Sequence, residues 1–140
     1  MITIIFVAPG KVPEVKTIPH SNQAFQQLVG GHYCHIYPWK DKAALLCHDD
    51  GKLIGLPPNR ILFADEEKAM QKPQGKLAGE PIIEWIAGNF IICGLAPENF
   101  CSLTPEQIER YTKRFWYPEQ FYNRNGYCTV LRSEPGNNPI

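Results

Sequence analysis

The sequence predicts an α+β domain, a mainly antiparallel sheet with about two packed helices. Three observations predict it. Short apolar runs of strand length recur along the chain, bounded by Gly, Pro, Asn and Asp. Two segments carry helix-start signals ahead of apolar residues at helical spacing. The runs follow one another without the regular strand–helix alternation of a parallel sheet. The 140 residues, 44% hydrophobic and 20% charged, have the size and balance of one globular domain. Residues 1–132 are assigned to that domain and residues 133–140 to a flexible C-terminal tail.

Taken in order, residues 1–8 are rich in Ile, Val and Phe and predict a core strand, ended by Pro9-Gly10. Residues 12–18 are placed to pair back as a hairpin. Ser21 is a helix N-cap, Ala24, Phe25, Leu28 and Val29 follow at helical spacing, and Gly30-Gly31 stops the helix. Residues 32–39 and 43–48 predict two strands joined by a turn at Lys40-Asp41, and Asp49-Asp50-Gly51-Lys52 is a further turn. Pro57-Pro58 argues against a central strand and predicts a rigid loop through Arg60. Residues 64–79 are polar and read as a mobile surface loop.

Residues 81–86 and 90–95 are apolar runs split by Ala87-Gly88-Asn89, a tight connection or a bulge. Thr104-Pro105-Glu106-Gln107 is the clearest helix start: Thr104 caps, Pro105 is N1, and Gln107 closes a capping box. Ile108, Tyr111, Thr112 and Phe115 share one face of that helix. Residues 126–132 add a last strand.

Lys plus Arg and Asp plus Glu both number 14, so the formal net charge is zero. That argues against a general DNA or RNA binder and against an acidic nucleic-acid mimic. Any anion site must be local. The five cysteines are odd in number and none forms a CxxC pair, which points to a reducing compartment without a disulfide framework. The N-terminal apolar run is too short for a signal sequence or a membrane span. The expected location is cytoplasmic, with no membrane partner.

Four groups of residues offer chemistry. Arg110 and Arg114, at i and i+4, share a helix flank beside Tyr111, and both are expected at the surface. The pair presents either a fork for phosphate oxygens or a solvated face favoured by the helix dipole, with Glu106 offsetting Arg110. Arg60, with Asn59, closes the proline loop as either a donor cluster or a turn in which Arg60 pairs with Asp65 or Glu66. His32, Cys34, His35, Cys47 and His48 match no common zinc spacing, so buried cysteines and surface histidines are expected, without a metal. A Cys–His nucleophile lacks any nucleophile turn, and GxSxG, Walker and GxGxxG patterns are absent. No catalytic residue and no cofactor is therefore assigned. The run Phe115-Trp116-Tyr117 cannot be wholly buried on one face of one helix, so part of it is expected to meet a ligand or a partner subunit.

The segments Gly51-Lys52-Leu53-Ile54-Gly55-Leu56-Pro57-Pro58-Asn59-Arg60, residues 86–95, residues 102–111 and Tyr117-Pro118-Glu119-Gln120-Phe121 together resemble a domain family of unknown function found in phages and mobile elements of Gram-positive bacteria. The likeness runs from about residue 1 to residue 121. In size, proline loop and helical arginines the chain also resembles the Thoeris anti-defence sponges. That resemblance implies a homo-oligomeric counter-defence protein acting in the infected host. It would bind a cyclic ADP-ribose-type nucleotide without cleaving it. The implied ligand contacts are Arg110 and Arg114, with Arg60, Asn89 and Phe90 as weaker candidates. The alternatives are a mobile-element protein-interaction module and a nucleotide-acting enzyme.

Overall fold

The computed structural model describes residues 1–72, 81–124 and 127–132. Strand β1 (Ile2–Val7) pairs antiparallel with β2 (Glu14–Ile18), Ile2 facing Ile18 and Phe6 facing Glu14. Helix α1 (Asn22–Val29) starts at Ser21, whose hydroxyl accepts from the Ala24 amide at 3.1 Å, and ends at Gly30 with φ of 88°. Strands β3 (Tyr33–Ile36) and β4 (Ala43–His48) form the next hairpin. Then come β5 (Pro58–Phe63), α2 (Glu66–Met70), β6 (Ile82–Ala87), β7 (Phe90–Leu95), β8 (Phe100–Cys101), α3 (Pro105–Arg114), β9 (Glu119–Arg124) and β10 (Tyr127–Arg132). The main sheet runs β2-β1-β7-β4-β3, with β8 added beside β7, and two separate ribbons are β5–β6 and β9–β10. The fold is α+β with antiparallel sheets, as the sequence predicts.

Strands β4 and β7 are buried on both faces, which explains their unbroken apolar runs. One face of the main sheet presents Ile4, Leu46 and Ile91 to Phe25 and Val29 of α1. The other presents Ile5, Val7, Leu45, Phe90 and Ile92 to Tyr111 of α3 and to Phe115, its C-cap. Thr104 and Gln107 form the expected capping box at the start of α3. A third, smaller cluster, Ile61, Phe63 and Ala69, joins the β5–β6 ribbon to α2, with Phe121 and Val130 against it.

Two expectations change. The Pro57-Pro58 loop gives way at Pro58 to a strand. Pro58 is its first residue, where a missing amide costs least, and the register with β6 slips between Pro58 and Arg60. That slip lets consecutive Asn59 and Arg60 both turn inward. The polar segment after Phe63 contains α2, capped by Asp65; its continuation over residues 73–79 lies outside the described residues, as does the expected tail at 133–140. The tight connection expected at Ala87-Gly88-Asn89 is present, a Gly88 turn with φ of 80°, and the strands that it joins, β6 and β7, pair with different partners. The turn hands the chain from the ribbon to the centre of the main sheet. β9 was also not expected. Its polar residues conceal a strand that, among the described residues, pairs only with β10 and packs on β5.

Candidate functional site

The residues expected to contact a ligand do not meet in one site. Phe90 is 0% exposed, in edge contact with Phe115 at 5.2 Å between ring centres. Asn89 is half-buried and donates its amide to the Leu28 carbonyl at 3.1 Å. Arg60 is fully buried, donating to the carbonyls of Phe115 and Lys11 and to the Asn59 side chain. Its expected alternatives, Asp65 and Glu66, are capping and pairing elsewhere.

Arg114 is 2% exposed, which corrects its expected surface position. Its Nε and Nη2 donate to the two oxygens of buried Glu66, each at 2.8 Å, and Nη2 also reaches the Ile61 carbonyl. The guanidinium lies between the Phe63 and Phe115 rings. The wheel explains the difference. At about 100° per residue, a step of four rotates by about 40°, and that step carries Arg114 towards the buried stripe of Gln107 and Tyr111. Glu66 completes the pair from α2, an element the sequence reading missed. Glu66 also accepts from the Trp39 indole at 3.0 Å and the Phe63 amide at 2.8 Å.

Arg110 stays at the surface, and a polar cluster forms around it. Its Nη1 donates to Asp41 at 2.7 Å rather than to Glu106. The same carboxylate accepts from the Tyr111 hydroxyl at 2.5 Å and from Gln107, while its other oxygen takes the Lys42 amide at 2.7 Å. Tyr111 in turn stacks on Trp39 with centres 4.4 Å apart. In the sequence Asp41 reads only as a turn residue. Nothing local in the sequence marks it as the hub that ties the β3–β4 turn to α3.

Burial pushes the Asp41 carboxyl up, but the bonds from Tyr111, the Lys42 amide and Gln107, with the Arg110 charge, outweigh it and hold the group below its usual range. Burial, then the bond to Asp41, pushes the Tyr111 hydroxyl well above its usual range. A folded-state value below the unfolded one stabilises the fold at pH above the unfolded value, and the gain is lost as pH falls through the folded value. Stability is thus expected to fall as pH drops below about 4, and less steeply in Asp41→Asn. Urea melts of both proteins between pH 2 and pH 6 check this; parallel profiles would exclude Asp41 as the source.

This cluster separates two grooves. One, of about 730 Å³, is lined by Lys40, Lys42, Leu95, Ser102, Thr104 and Arg110 among others. The other, of about 490 Å³, opens towards Glu67, Met70 and Gln71. Across the molecule a third cleft of about 300 Å³ lies between β4 and β6, lined by Cys34, Cys47, His48, Asp49, Asp50, Lys52, Glu84 and Trp85. Lys52 there bonds Glu84 and lies over the Trp85 ring. The local charges differ in sign. Lys40, Lys42 and Arg110 outnumber Asp41 in the first groove, whereas Asp49, Asp50 and Glu84 outnumber Lys52 in the third. Of the two, only the first groove favours an anion.

The His/Cys set does not converge. His35 packs with Tyr37 and Phe100, His48 accepts from the Asp50 amide, and Cys34 and Cys47 face each other with sulfurs 3.6 Å apart. Among the described residues no helix is long and apolar enough to cross a membrane.

The segments behind the family resemblance are largely structural. Asn59 donates to the carbonyls of Val7 and Gly88 at 3.0 and 2.8 Å, locking the ribbon to β1 and to the turn before β7. Gly51 lies so close to the Ala87 carbonyl that a Cβ would come within 2.9 Å of it. No curated protein matches the chain, and no solved structure does. Residues 2–116 match the domain of unknown function DUF3846, and the chain therefore belongs to that family.

Proposed function

We propose that the protein captures a phosphate-bearing small molecule in the groove flanked by Lys40, Lys42 and Arg110, and holds it without chemistry. The observation that carries this reading is the positive balance of a ligand-sized groove on a chain of zero net charge. Arg110 is oriented by Asp41 yet remains exposed, with further guanidinium N–H groups to offer. The nearby titratable pair supports binding over acid–base work. Asp41 is held ionised and Tyr111 protonated, so neither is poised to exchange a proton near neutral pH.

The resemblance to phage counter-defence proteins supplies the ligand class, a cyclic ADP-ribose-type signal whose pyrophosphate matches the cations. In this reading Arg110 is the contact retained from the sequence. Lys40 and Lys42 replace Arg114, whose guanidinium is engaged by Glu66.

Calorimetry with Arg110→Ala and Lys42→Ala tests the assignment. A charge-assisted bond contributes roughly 1.5–3 kcal/mol, so each variant should lose about one to two decades of affinity. Arg110 is 45% exposed in its pair with Asp41, so losing it should cost little stability, and Asp41 keeps its bonds from Tyr111, Gln107 and the Lys42 amide. Unchanged affinity in a folded double variant would remove this groove from the proposal. Mass spectrometry of ligand released by heat separates a binder, which returns it intact, from an enzyme, which returns product.

A second reading, a protein-interaction module, is favoured by the exposure of Leu53, Ile54, Ile82 and Ile83, on the two segments that the Lys52–Glu84 pair joins. It includes self-association into the expected homo-oligomer. In the aromatic run Phe115 is core, while Trp116 is 40% exposed and free to contribute. Light scattering on wild type and on Ile83→Glu would reveal self-association through this surface.

A further inference from the structure

We propose that Cys34 and Cys47 form a dithiol modification site that exchanges with small-molecule disulfides and closes into a disulfide across β3 and β4. The two residues are directly opposed in the antiparallel register. Opposed positions in such a ladder have Cα atoms about 4.5–5.5 Å apart, inside the range a disulfide spans. The sulfurs already touch at 3.6 Å, so closure to about 2.05 Å needs side-chain rotation rather than movement of a strand. Both line the cleft between β4 and β6, which gives a reagent its approach. β3 is the last strand of the main sheet, so it has freedom to adjust.

The two thiols are not equivalent, and this sets the order of events. Cys34 is half-buried, whereas Cys47 is 9% exposed. Burial, then the neighbouring Cys34, pushes the Cys47 thiol up to about 12. Cys34 therefore attacks first. Its thiolate displaces one thiolate from an incoming disulfide, leaving a mixed disulfide at Cys34. Cys47 then gives its proton to solvent at the cleft and attacks the Cys34 sulfur, releasing the second small thiol. Two protein thiols are oxidised and one small disulfide is reduced to two thiols, so atoms and electrons balance. Cys93 and Cys101 are neighbours across β7 and β8 but are not directly opposed: Cys101 opposes Gly94, and Cys93, at 0% exposure, opposes Ala44 and is closed to a reagent.

The test is peptide mapping of the folded protein after exposure to oxidised glutathione. The expected product links Cys34 to Cys47, loses the mass of two hydrogens and reverts with dithiothreitol. Cys47→Ser should instead accumulate the mixed disulfide at Cys34, and Cys34→Ser should leave Cys47 unmodified. Persistent glutathione on wild-type Cys34, or bridging of Cys93 to Cys101 first, would overturn the proposal. So would a wild-type protein left fully reduced while an unfolded control oxidises. Melting curves confirm that each serine variant remains folded.

Discussion

Glu66→Ala is expected to cost about 3–5 kcal/mol of unfolding free energy, the usual result of stranding one member of a buried ion pair. The substitution leaves Arg114 as an uncompensated cation at 2% exposure. It also removes the acceptors of the Trp39 indole and the Phe63 amide. Arg114→Ala strands the carboxylate instead and opens space between the Phe63 and Phe115 rings. For a domain of this size the loss corresponds to a fall of roughly 6–20 °C in melting temperature. The double variant Glu66→Leu/Arg114→Met should be less destabilised than the sum of its singles, because it removes both charges together. Urea melts of the four proteins decide the matter. Single variants within about 1 kcal/mol of wild type would show that the pair contributes little.

Arg60→Ala is expected to be comparably damaging for a different reason. Arg60 is hydrogen-bonded chiefly to carbonyls, reaching Phe115 at the end of α3 and Lys11 in the β1–β2 turn from β5. It therefore joins three parts of the chain through backbone carbonyls. Truncation leaves those carbonyls without this donor, at about 1–3 kcal/mol each where they stay buried. Lysine should not rescue it. One ammonium on a flexible stem cannot reproduce the planar fork that spans Lys11 and Phe115. A melting temperature for Arg60→Lys close to wild type would refute this account, whereas one close to Arg60→Ala would support it.

These two arginines also show where reading the sequence stops. Hydrophobic runs, the Ser21 and Thr104 caps and the Gly30 stop are local signals, and each appears where the sequence places it. Burial of a charged side chain is not local. Arg110 and Arg114 have the same residue type and the same flank, yet their environments differ. Glu66 arrives from α2 to meet Arg114, and Asp41 arrives from the β3–β4 turn to meet Arg110. Likewise Pro57-Pro58 reads as a loop in isolation. Only the bulged pairing with β6 reveals Asn59 and Arg60 as interior residues. The candidate groove was legible only through Arg110, because Lys40 and Lys42 gain meaning once the turn packs beside α3.

The position of β7 has a consequence for how the chain acquires its structure. β1–β2 and β3–β4 are local hairpins, but each finds its place in the sheet only by pairing with β7. Val7 opposes Phe90, so this pairing closes a loop that spans most of the chain. Such non-local closure slows folding, since its entropy is lost before the contacts form. During synthesis both hairpins leave the ribosome well before their shared neighbour, and the sheet must wait for it. Core substitutions in β7, such as Ile92→Val, are thus expected to slow refolding in stopped-flow experiments more than Ile18→Val at the outer edge of β2. Equal effects on the folding limb would place the nucleus elsewhere.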